Sequence, residues 1–310
     1  YYRPFVVRIN STGEFSWATT VTPSSTYHRT IQGMGVHADG SVDILMQTYG
    51  ETQVGGITAG NESVHYLLAR VNETGSWVAA TEITEPAMRG GAGFFSGYDS
   101  AMMDITPSGN LIIAIWSVLD ISNLSVNGTS TLFNETCQES LVMVSVSGSG
   151  WNVEASREVC MAANGAMHAE YYSILEIDNQ GLPVLFLGQG SDYQANHHRI
   201  IRLDSNMNPD FEEFVASSNN PANSFLLDWE DVAFDPLGNM LVNFYSNSCS
   251  LYWNGSYMGR PSNYCNYNSQ FFMETVGHTI GGSALVAGEP STLWGVMGLS
   301  AMGVTCSQGT

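Results

Sequence analysis

The chain contains no lysine: its nine basic residues are all arginine, and they stand against 29 acidic residues, so the formal net charge is −20. A field of this sign repels phosphate backbones and anionic lipid. We therefore expect no nucleic-acid partner, whereas cations, basic proteins and neutral glycans fit the charge. Only 12% of the residues are charged, which leaves a surface of uncharged polar residues and is typical of an all-β protein.

Long hydrophobic runs are also missing. No stretch of about 20 apolar residues occurs, so we expect no membrane insertion within this segment. Neither an initiator methionine nor a signal peptide is present, and Tyr1 opens directly into a strand-like run. We expect a fragment of a longer chain, with targeting information outside it.

Catalytic signatures are absent from the sequence as well. There is no G-x-S-x-G elbow, no HExxH pair and no P-loop. Zinc is disfavoured because the five cysteines form no C-x2-C pair. We expect no enzyme, no catalytic residue and no resident cofactor.

Two half-repeats are present, and they alternate along the chain. The first is two apolar runs around a turn glycine, as in MGVHADGSVDILMQT, MMDITPSGNLIIAIWS, ILEIDNQGLPVLFLG, DVAFDPLGNMLVNFYS and, more weakly, VMGLSAMGVTCS. Their turn glycines are Gly40, Gly109, Gly181, Gly238 and Gly303. The second is an apolar run, a polar turn and often tryptophan, as in FVVRINSTGEFSW and LLARVNETGSW. Each half predicts a β-hairpin.

Paired hairpins predict a single five-bladed β-propeller over residues 1–310, with four strands in each blade. The expected blades are approximately residues 31–87, 96–161, 168–217, 226–289, and 290–310 together with 1–30. The last blade would be closed by the N- and C-terminal hairpins. An open β-solenoid is the alternative, and strand exchange with a neighbouring molecule is a second way to complete the last blade.

The paired signature resembles the SBBP-type β-propeller repeats of bacteria and archaea. Asp235, Gly238 and Asn239 match its first half, and the second half is matched by Phe5, Val6, Arg8, Asn10, Gly13 and Trp17. The resemblance covers nearly the whole chain and implies a propeller and surface exposure. It implies no enzyme activity.

Cysteine placement predicts disulfides. Cys137 and Cys160 flank a hairpin symmetrically about Gly148, so we expect them to face each other across its strands. Cys249 and Cys265 bracket an insertion and would staple its base, while Cys306 is left over. Five free thiols in a reducing cell are the alternative; disulfides indicate an oxidising, extracellular compartment.

Glycosylation sequons indicate the same compartment. All seven fall at predicted loop positions, where glycans are tolerated: Asn10, Asn61, Asn72, Asn123, Asn127, Asn134 and Asn254. In a bacterial protein most of them would be accidental.

Acidic residues supply the best candidate ligand site. Asp99, Glu170 and Asp228, with Glu230 beside the last, enter the innermost strands of successive blades and would converge at one channel mouth. Such carboxylates could bind Ca²⁺ or serve as acid and base in glycoside chemistry. The alternative is ordinary polar lining of a wet channel.

Aromatic and basic residues recur too. Trp253 lies in the cysteine-bracketed insertion, where an aromatic loop could contact sugar or protein, or pack on its own blade. Trp17, Trp77 and Trp151 are assigned to one repeat position and to packing between blades. Arg8, Arg70 and Arg202 share another position, which indicates a structural contact on each blade. His37 lies at a turn with no partner visible in the sequence.

These patterns favour a non-enzymatic extracellular propeller, acting as a structural or adhesive module of a cell-surface or filament assembly. The alternative is a carbohydrate-binding or carbohydrate-active propeller that uses the acidic channel mouth or the aromatic loop. Expected partners are proteins or further copies at the cell surface, together with N-linked glycans.

Overall fold

The computed structural model describes residues 4–23, 30–49, 51–59, 64–84, 101–117, 123–133, 140–160, 173–187, 198–216, 227–234, 240–246, 251–253, 256–259, 269–275 and 285–288. Every regular element in these ranges is a β-strand, so the all-β prediction is confirmed for them. They contain no helix that could cross a membrane. The chain separates into two compact units: residues 1–171, 181–184 and 202–210, and residues 172–180, 185–201 and 211–310.

The strands are numbered in chain order, and their bounds are β1 (Phe5–Ile9), β2 (Phe15–Thr20), β3 (Thr22–Pro23), β4 (Thr30–Val36), β5 (Val42–Tyr49), β6 (Thr52–Val54), β7 (Ile57–Ala59), β8 (Val64–Val71), β9 (Trp77–Thr84), β10 (Ala101–Ile105), β11 (Leu111–Ser117), β12 (Asn123–Val126), β13 (Thr129–Leu132), β14 (Ser140–Val146), β15 (Val153–Cys160), β16 (Ile174–Ile177), β17 (Pro183–Leu187), β18 (His198–Leu203), β19 (Pro209–Ala216), β20 (Leu227–Phe234), β21 (Met240–Ser246), β22 (Leu251–Trp253), β23 (Ser256–Gly259), β24 (Ser269–Thr275) and β25 (Leu285–Gly288).

Two consecutive hairpins form each main sheet. The strand orders are β4-β5-β8-β9 for sheet 1, β10-β11-β14-β15 for sheet 2, β16-β17-β18-β19 for sheet 3 and β20-β21-β24-β25 for sheet 4. The ladders of sheets 1, 2 and 4 are antiparallel. Strands β1 and β2 form a separate antiparallel hairpin. Residues 289–310 lie outside the described residues, so the fifth blade stays a prediction.

Turn glycines set the first hairpin of sheets 1 to 3. Gly40, Gly109 and Gly181 have φ values of 80°, 87° and 81°. A positive φ is readily adopted only by glycine, because a Cβ atom would clash with the backbone. The turns predicted at these positions are therefore confirmed, whereas those at Gly238 and Gly303 lie outside the described residues.

Three insertions between the second and third strands fold as hairpins, where the sequence pattern predicted loops. Strand β6 of the hairpin β6–β7 pairs with β3, which directly follows β2. Strand β12 of the hairpin β12–β13 pairs with β9, the outer strand of sheet 1. Strand β22 of the hairpin β22–β23 pairs with β19, the outer strand of sheet 3. Two of the insertions thus extend the outer edge of the preceding sheet, and a covered edge is protected from unwanted pairing. The hairpin β6–β7 instead forms a separate three-stranded sheet with β3.

Sheet 1 is buried on both faces. Leu45 of β5 belongs to a cluster that includes Ile113 and Val144 of sheet 2. Its neighbours Ile44 and Met46 belong to a second cluster, which includes Val6 of β1. Successive side chains of a strand point to opposite faces, so burial on both faces explains why second strands carry unbroken apolar runs.

Glycines bring the first strands of sheets 1 and 2, β4 and β10, together. A Cβ atom on Gly33 would stand 2.8 Å from Met103 Cβ, and one on Gly35 would stand 3.0 Å from Ile105 Cβ. The missing side chains let the β4 backbone pack directly on β10.

Candidate functional site

Asp43 is the hub of a polar cluster inside the hydrophobic core. It lies on β5 and its side chain is fully buried. Arg70 Nε donates to its Oδ1 at 2.7 Å, and Arg70 Nη2 donates to its Oδ2 at 2.5 Å. His37 Nε2 lies 2.7 Å from Oδ2, and Trp151 Nε1 lies 3.3 Å from it. A buried carboxylate is stable only when its charge and lone pairs are satisfied in this way.

The cluster joins two sheets. His37, Asp43 and Arg70 belong to sheet 1, whereas Trp151 belongs to the turn between β14 and β15 of sheet 2. Arg70 Nη2 also donates to the backbone carbonyl of Gly148 at 2.5 Å, and the guanidinium carbon lies 5.3 Å from the centroid of the Trp151 ring. One arginine thus contacts the neighbouring repeat by a hydrogen bond and a cation–π contact.

The cluster holds the two sheets together rather than offering reactive groups. Both carboxylate oxygens of Asp43 accept hydrogen bonds from protein donors. Because the carboxylate is an acceptor, His37 donates through Nε2, and its ring lies against Gly109 and Gly148 of sheet 2. This arrangement supports packing between repeats.

The sequence reasoning missed this cluster, although a signal was present. His37 has a partner, contrary to the expectation. Asp43 interrupts an apolar run. At the same position of the repeat, three other first halves have an apolar residue: Ile112, Val184 and Leu241. Arg70 is the direct cross-strand neighbour of Asp43. A charge pair at facing positions of two central strands indicates a buried ion pair.

The predicted structural contact is made by all three recurring arginines, and two of them reach the next repeat. Arg8 Nη1 donates to the carbonyl of Glu73 at 2.8 Å, in the turn after β8. Arg70 makes the equivalent contact with Gly148, in the turn after β14. Arg202 differs, because it forms a bidentate pair with Asp210 of its own hairpin at 3.0 and 2.9 Å.

The three tryptophans do not share one repeat position, which corrects the alignment made from the sequence. Trp17 is paired with Arg8, whereas Trp77 is paired with Val71, the residue after Arg70. Trp151 lies in a turn, with a φ of 54°. Turn lengths differ between the copies, so counting from the turn misplaces the strand register.

Their predicted role in packing between repeats is nevertheless confirmed. Trp17 Nε1 donates to the carbonyl of Glu73 at 2.9 Å and its ring packs on Gly75. Trp77 Nε1 donates to the carbonyl of Thr20 at 3.3 Å and packs on Gly55. Each indole therefore binds a neighbouring repeat, as Trp151 does through Asp43.

The acidic candidates are described only in part. Asp99 and Glu170 lie outside the described residues, and Asp228 and Glu230 lie on β20. The β20–β21 register shifts between Trp229 and Asp231, so Glu230 occupies a β-bulge. Among the described residues, no group of three or more His, Cys, Asp or Glu is placed to hold a metal ion. Ca²⁺ binding stays a prediction.

Gln32 occupies the matching bulge of sheet 1 and shows what that position does there. The β4–β5 register shifts between Ile31 and Gly33, four residues before the end of β4, as Glu230 stands four before the end of β20. Gln32 Oε1 accepts a hydrogen bond from the backbone of Ala101 at 3.1 Å, at the start of β10. In sheet 1 the bulged side chain therefore binds the first strand of sheet 2, β10.

Turn chemistry accounts for the recurring sequons. Asn72 Oδ1 accepts hydrogen bonds from the backbone of Thr74 and Ser76, at 3.1 and 2.9 Å. Asn10 caps its turn in the same way, and Asp204 does so in sheet 3. Aspartate cannot carry an N-glycan, yet Asp204 caps the equivalent turn. The first position of the turn therefore favours a side-chain oxygen that accepts backbone hydrogen bonds.

The capped turns also perturb carboxyl groups. The Asn208 backbone N–H holds the pKa of Asp204 below its ordinary value. Hydrogen bonds from Asn10 and Thr12 lower the pKa of Glu14. In both turns the hydrogen bonds favour the ionised form.

The other sequons are distributed as follows. Asn127 forms the tight turn of β12–β13, with a φ of 48°, and its Nδ2 donates to the carbonyl of Gly150 at 2.9 Å. Asn123 begins β12, so it lies in a strand and not in a predicted loop. The remaining three lie outside the described residues: Asn61, Asn134 and Asn254. Glycan occupancy stays a prediction throughout.

The register predicted for Cys137 and Cys160, with the two residues directly opposite each other, is wrong. Cys160 lies opposite Ser140 in the β14–β15 register, and not opposite residue 137. The turn of this hairpin runs from Ser147 to Asn152, so its midpoint lies beyond Gly148 in the chain. The disulfide itself stays a prediction, since the other four cysteines lie outside the described residues: Cys137, Cys249, Cys265 and Cys306.

Trp253 lies in a strand, which corrects the expectation of a rim loop. It ends β22, and its backbone pairs with Ser256 in β23 and Val215 in β19. The aromatic segment is therefore part of the sheet edge.

Large apolar residues are exposed in two places, one on β1 and β2 and one on β4. Phe5, Ile9 and Phe15 are 64%, 63% and 67% exposed, and on β4 Met34 and Val36 are 53% and 64% exposed. Leu67, Val71 and Met103, which correspond to Phe5, Ile9 and Met34 in the next repeat, are buried. Large apolar groups exposed together mark an interaction surface.

Comparisons with known proteins add little. No protein-family model matches the chain. No curated protein matches it. Among solved structures, the crystal structure of rhamnogalacturonan lyase YesW matches over 94% of this chain and 52% of its own, with 13% sequence identity and a TM-score of 0.43. The chain thus spans about half the length of that lyase chain, and a similarity at this level carries no argument about activity.

Proposed function

We propose that the chain is a non-enzymatic, extracellular β-propeller of five blades, which serves as a structural or adhesive module of a cell-surface or filament assembly. Residues 290–310 and 1–30 would form the fifth blade. The SBBP-type resemblance and the succession of four two-hairpin sheets support this fold.

The observation that carries the proposal is how the repeating polar residues are used. Arg8 and Trp17 both bind the Glu73 carbonyl of the next repeat, and Arg70 binds the Gly148 carbonyl. Arg8 and Arg70, which recur at one repeat position, thus make equivalent contacts between repeats. Contacts that are repeated in this way favour a rigid scaffold, which is what a structural module requires.

Self-association tests the role. The purified chain is expected to form ordered polymers, or to adhere to a cell surface, in the absence of glycan ligand. Electron microscopy and light scattering would measure the polymers. A chain that stays monomeric at every concentration tested and adheres to no surface would contradict the proposal.

Carbohydrate binding or cleavage is the alternative function. Glycan-array binding that is lost in Trp253→Ala, or glycoside hydrolysis that is lost in Asp228→Asn, would replace the structural role. Asp210→Asn is the matched control, because Asp210 pairs with Arg202 on an outer hairpin.

The extracellular compartment has its own test. Non-reducing peptide mapping of the chain from its native source is expected to find Cys137 joined to Cys160 and Cys249 joined to Cys265. The same digest would show glycans on the sequon asparagines. Free thiols at all four positions together with bare sequons would contradict an extracellular location.

A further inference from the structure

The tip of the β12–β13 hairpin is an asparagine–glycine pair. Asn127 and Gly128 form its two-residue turn, and their φ values are 48° and 76°. Positive φ at both central residues is the mark of a type I′ turn, for which the Asn-Gly pair is preferred. Val126 pairs with Thr129 across the turn, so the backbone N–H of Gly128 lies outside the ladder of hydrogen bonds between the strands.

The pair is open to water. Asn127 and Gly128 are both exposed, and a Cβ atom built on Gly128 would meet no atom beyond its chain neighbours within 4 Å. The sequence has three Asn-Gly pairs, which begin at residues 127, 164 and 254, and the last two lie outside the described residues. Water therefore has free access to the Asn127 side chain and to the peptide bond that follows it.

Asparagine is a chemically labile residue, and a following glycine favours its reaction with the backbone, because no Cβ atom obstructs the attack. The nitrogen of Gly128 attacks Cγ of Asn127, and the new N–Cγ bond closes a succinimide ring. The Cγ–Nδ2 bond breaks, and the nitrogen leaves as ammonia with the proton of the Gly128 N–H. Water then opens the ring at either carbonyl, which gives aspartate or isoaspartate.

The side chain of Asn127 is held in the structure by this same nitrogen. Nδ2 donates to the backbone carbonyl of Gly150 at 2.9 Å, in the turn between β14 and β15. The contact joins the tip of a hairpin that extends sheet 1 to a turn of sheet 2. Deamidation replaces the donor with a carboxylate oxygen, and two acceptors facing each other at this distance repel.

Asn72 uses its side chain in the opposite way. Its Oδ1 accepts hydrogen bonds from the backbone of Thr74 and Ser76, and Glu73 follows it in the sequence. Aspartate at residue 72 would keep the accepting oxygen, whereas aspartate at residue 127 would lose the donating nitrogen. The asparagine that glycine makes labile is thus the one whose nitrogen makes the contact.

The rest of the hairpin is anchored independently of its tip. Leu124 and Val126 belong to the core cluster shared by sheets 1 and 2. The hydroxyls of Thr131 and Ser156 are hydrogen-bonded to each other, which ties β13 to β15. Loss of the Asn127 contact would therefore free the tip of the hairpin and leave the chain folded.

We propose that Asn127 is a site of spontaneous deamidation, and that its conversion to aspartate or isoaspartate releases the tip of the β12–β13 hairpin from the turn at Gly150. Isoaspartate has the larger effect, because it inserts a methylene group into the backbone of a two-residue turn. Asn127 is also a sequon asparagine, and a glycan would be attached to the nitrogen that deamidation removes. A molecule therefore carries one modification or the other at this residue, and the inference does not depend on the structural role proposed above.

Peptide mapping of the unglycosylated full chain tests the modification. After incubation at neutral pH, mass spectrometry is expected to find aspartate and isoaspartate at residue 127, formed at least about tenfold faster than at Asn72 in the same molecules. Gly128→Ala is the matched control and should slow the reaction at residue 127 by a similar factor, because its methyl group obstructs the attack. Equal rates at residues 127 and 72 would overturn the proposal.

The same digest after incubation in urea shows whether the turn permits the reaction. Modification of residue 127 in both the folded and the unfolded chain would support the proposal. Modification in the unfolded chain alone would mean that the turn protects the amide, and the proposal would then be wrong.

Hydrogen exchange tests the release of the tip. Asn127→Asp should speed the exchange of the β12–β13 amides at least about fivefold, since one hydrogen bond is lost and an acceptor faces the Gly150 carbonyl. Asn72→Asp is the matched control and should leave this exchange unchanged. If the Asn127→Asp hairpin exchanges at the rate of the parent chain, deamidation does not release the tip and that part of the proposal is overturned.

Discussion

Asp43 and Arg70 face each other on β5 and β8, and Arg70 Nε donates to Asp43 Oδ1 at 2.7 Å. Sheet 2 has Ile112 opposite Ser145 at the corresponding pair. One repeat therefore uses an ion pair where the next uses an apolar residue and a hydroxyl, and the difference yields a direct test of the cluster.

Asp43→Asn is expected to lower the free energy of unfolding by about 3 kcal/mol, because it leaves Arg70 largely buried without its counter-charge. Urea unfolding would measure the loss. The matched control is Asp210→Asn, in a more exposed pair, which should cost less than about 1 kcal/mol. A loss for Asp43→Asn no larger than that of the control would contradict this account.

Gly33→Ala is expected to destabilise the chain by about 1–3 kcal/mol, since the new Cβ would overlap Met103 and force β4 away from β10. Thermal unfolding would report the change. Gly150→Ala is the control, because its new Cβ meets only the Asn152 side chain, at 3.3 Å. A Gly33→Ala chain as stable as the control would mean that the two strands do not pack closely.

Asn72→Asp should preserve the turn and Asn72→Ala should not. Aspartate supplies the same acceptor oxygen, as Asp204 does in its turn, whereas alanine leaves the backbone N–H groups without it. We expect a loss of about 1 kcal/mol for the alanine variant and a near-neutral aspartate variant. Measured on unglycosylated protein, equal losses in both variants would show that the asparagine is not retained for the turn.

Asp204 should make stability depend on acid pH. Its pKa is lowered in the folded chain, chiefly by the Asn208 backbone N–H. The folded state therefore binds the proton less readily than the unfolded state, so the stabilisation is complete above the unfolded value of 3.8 and is lost as the pH falls through the folded pKa. Between about pH 5 and pH 2 the chain should lose more stability than Asp204→Asn, measured by urea unfolding. Parallel pH curves would contradict the prediction.

Local chemistry made part of this structure predictable. Turn glycines such as Gly40 and Gly109 need a positive φ, and Asn72 satisfies the backbone of its own turn, so both signals act within a few residues. The recurring arginine was predicted to make a structural contact, which it does, but the sequence did not indicate that Arg8 and Arg70 reach the next repeat. The strand register was harder to predict, because bulges and turns of unequal length shift a pairing by one or more residues. The predicted repeat position of Trp77 and the predicted partner of Cys160 were wrong for this reason.

By itself, the sequence determined the all-β class, the hairpins and the turns at Gly40, Gly109 and Gly181, since each follows from alternation and backbone conformation within one short segment. Only the tertiary structure decided that Asp43 meets Trp151, that Gly33 lies against Met103 and that two of the insertion hairpins extend the preceding sheet. These contacts join residues far apart in the chain. They depend on which sheet faces and edges become neighbours, a property that no single segment carries.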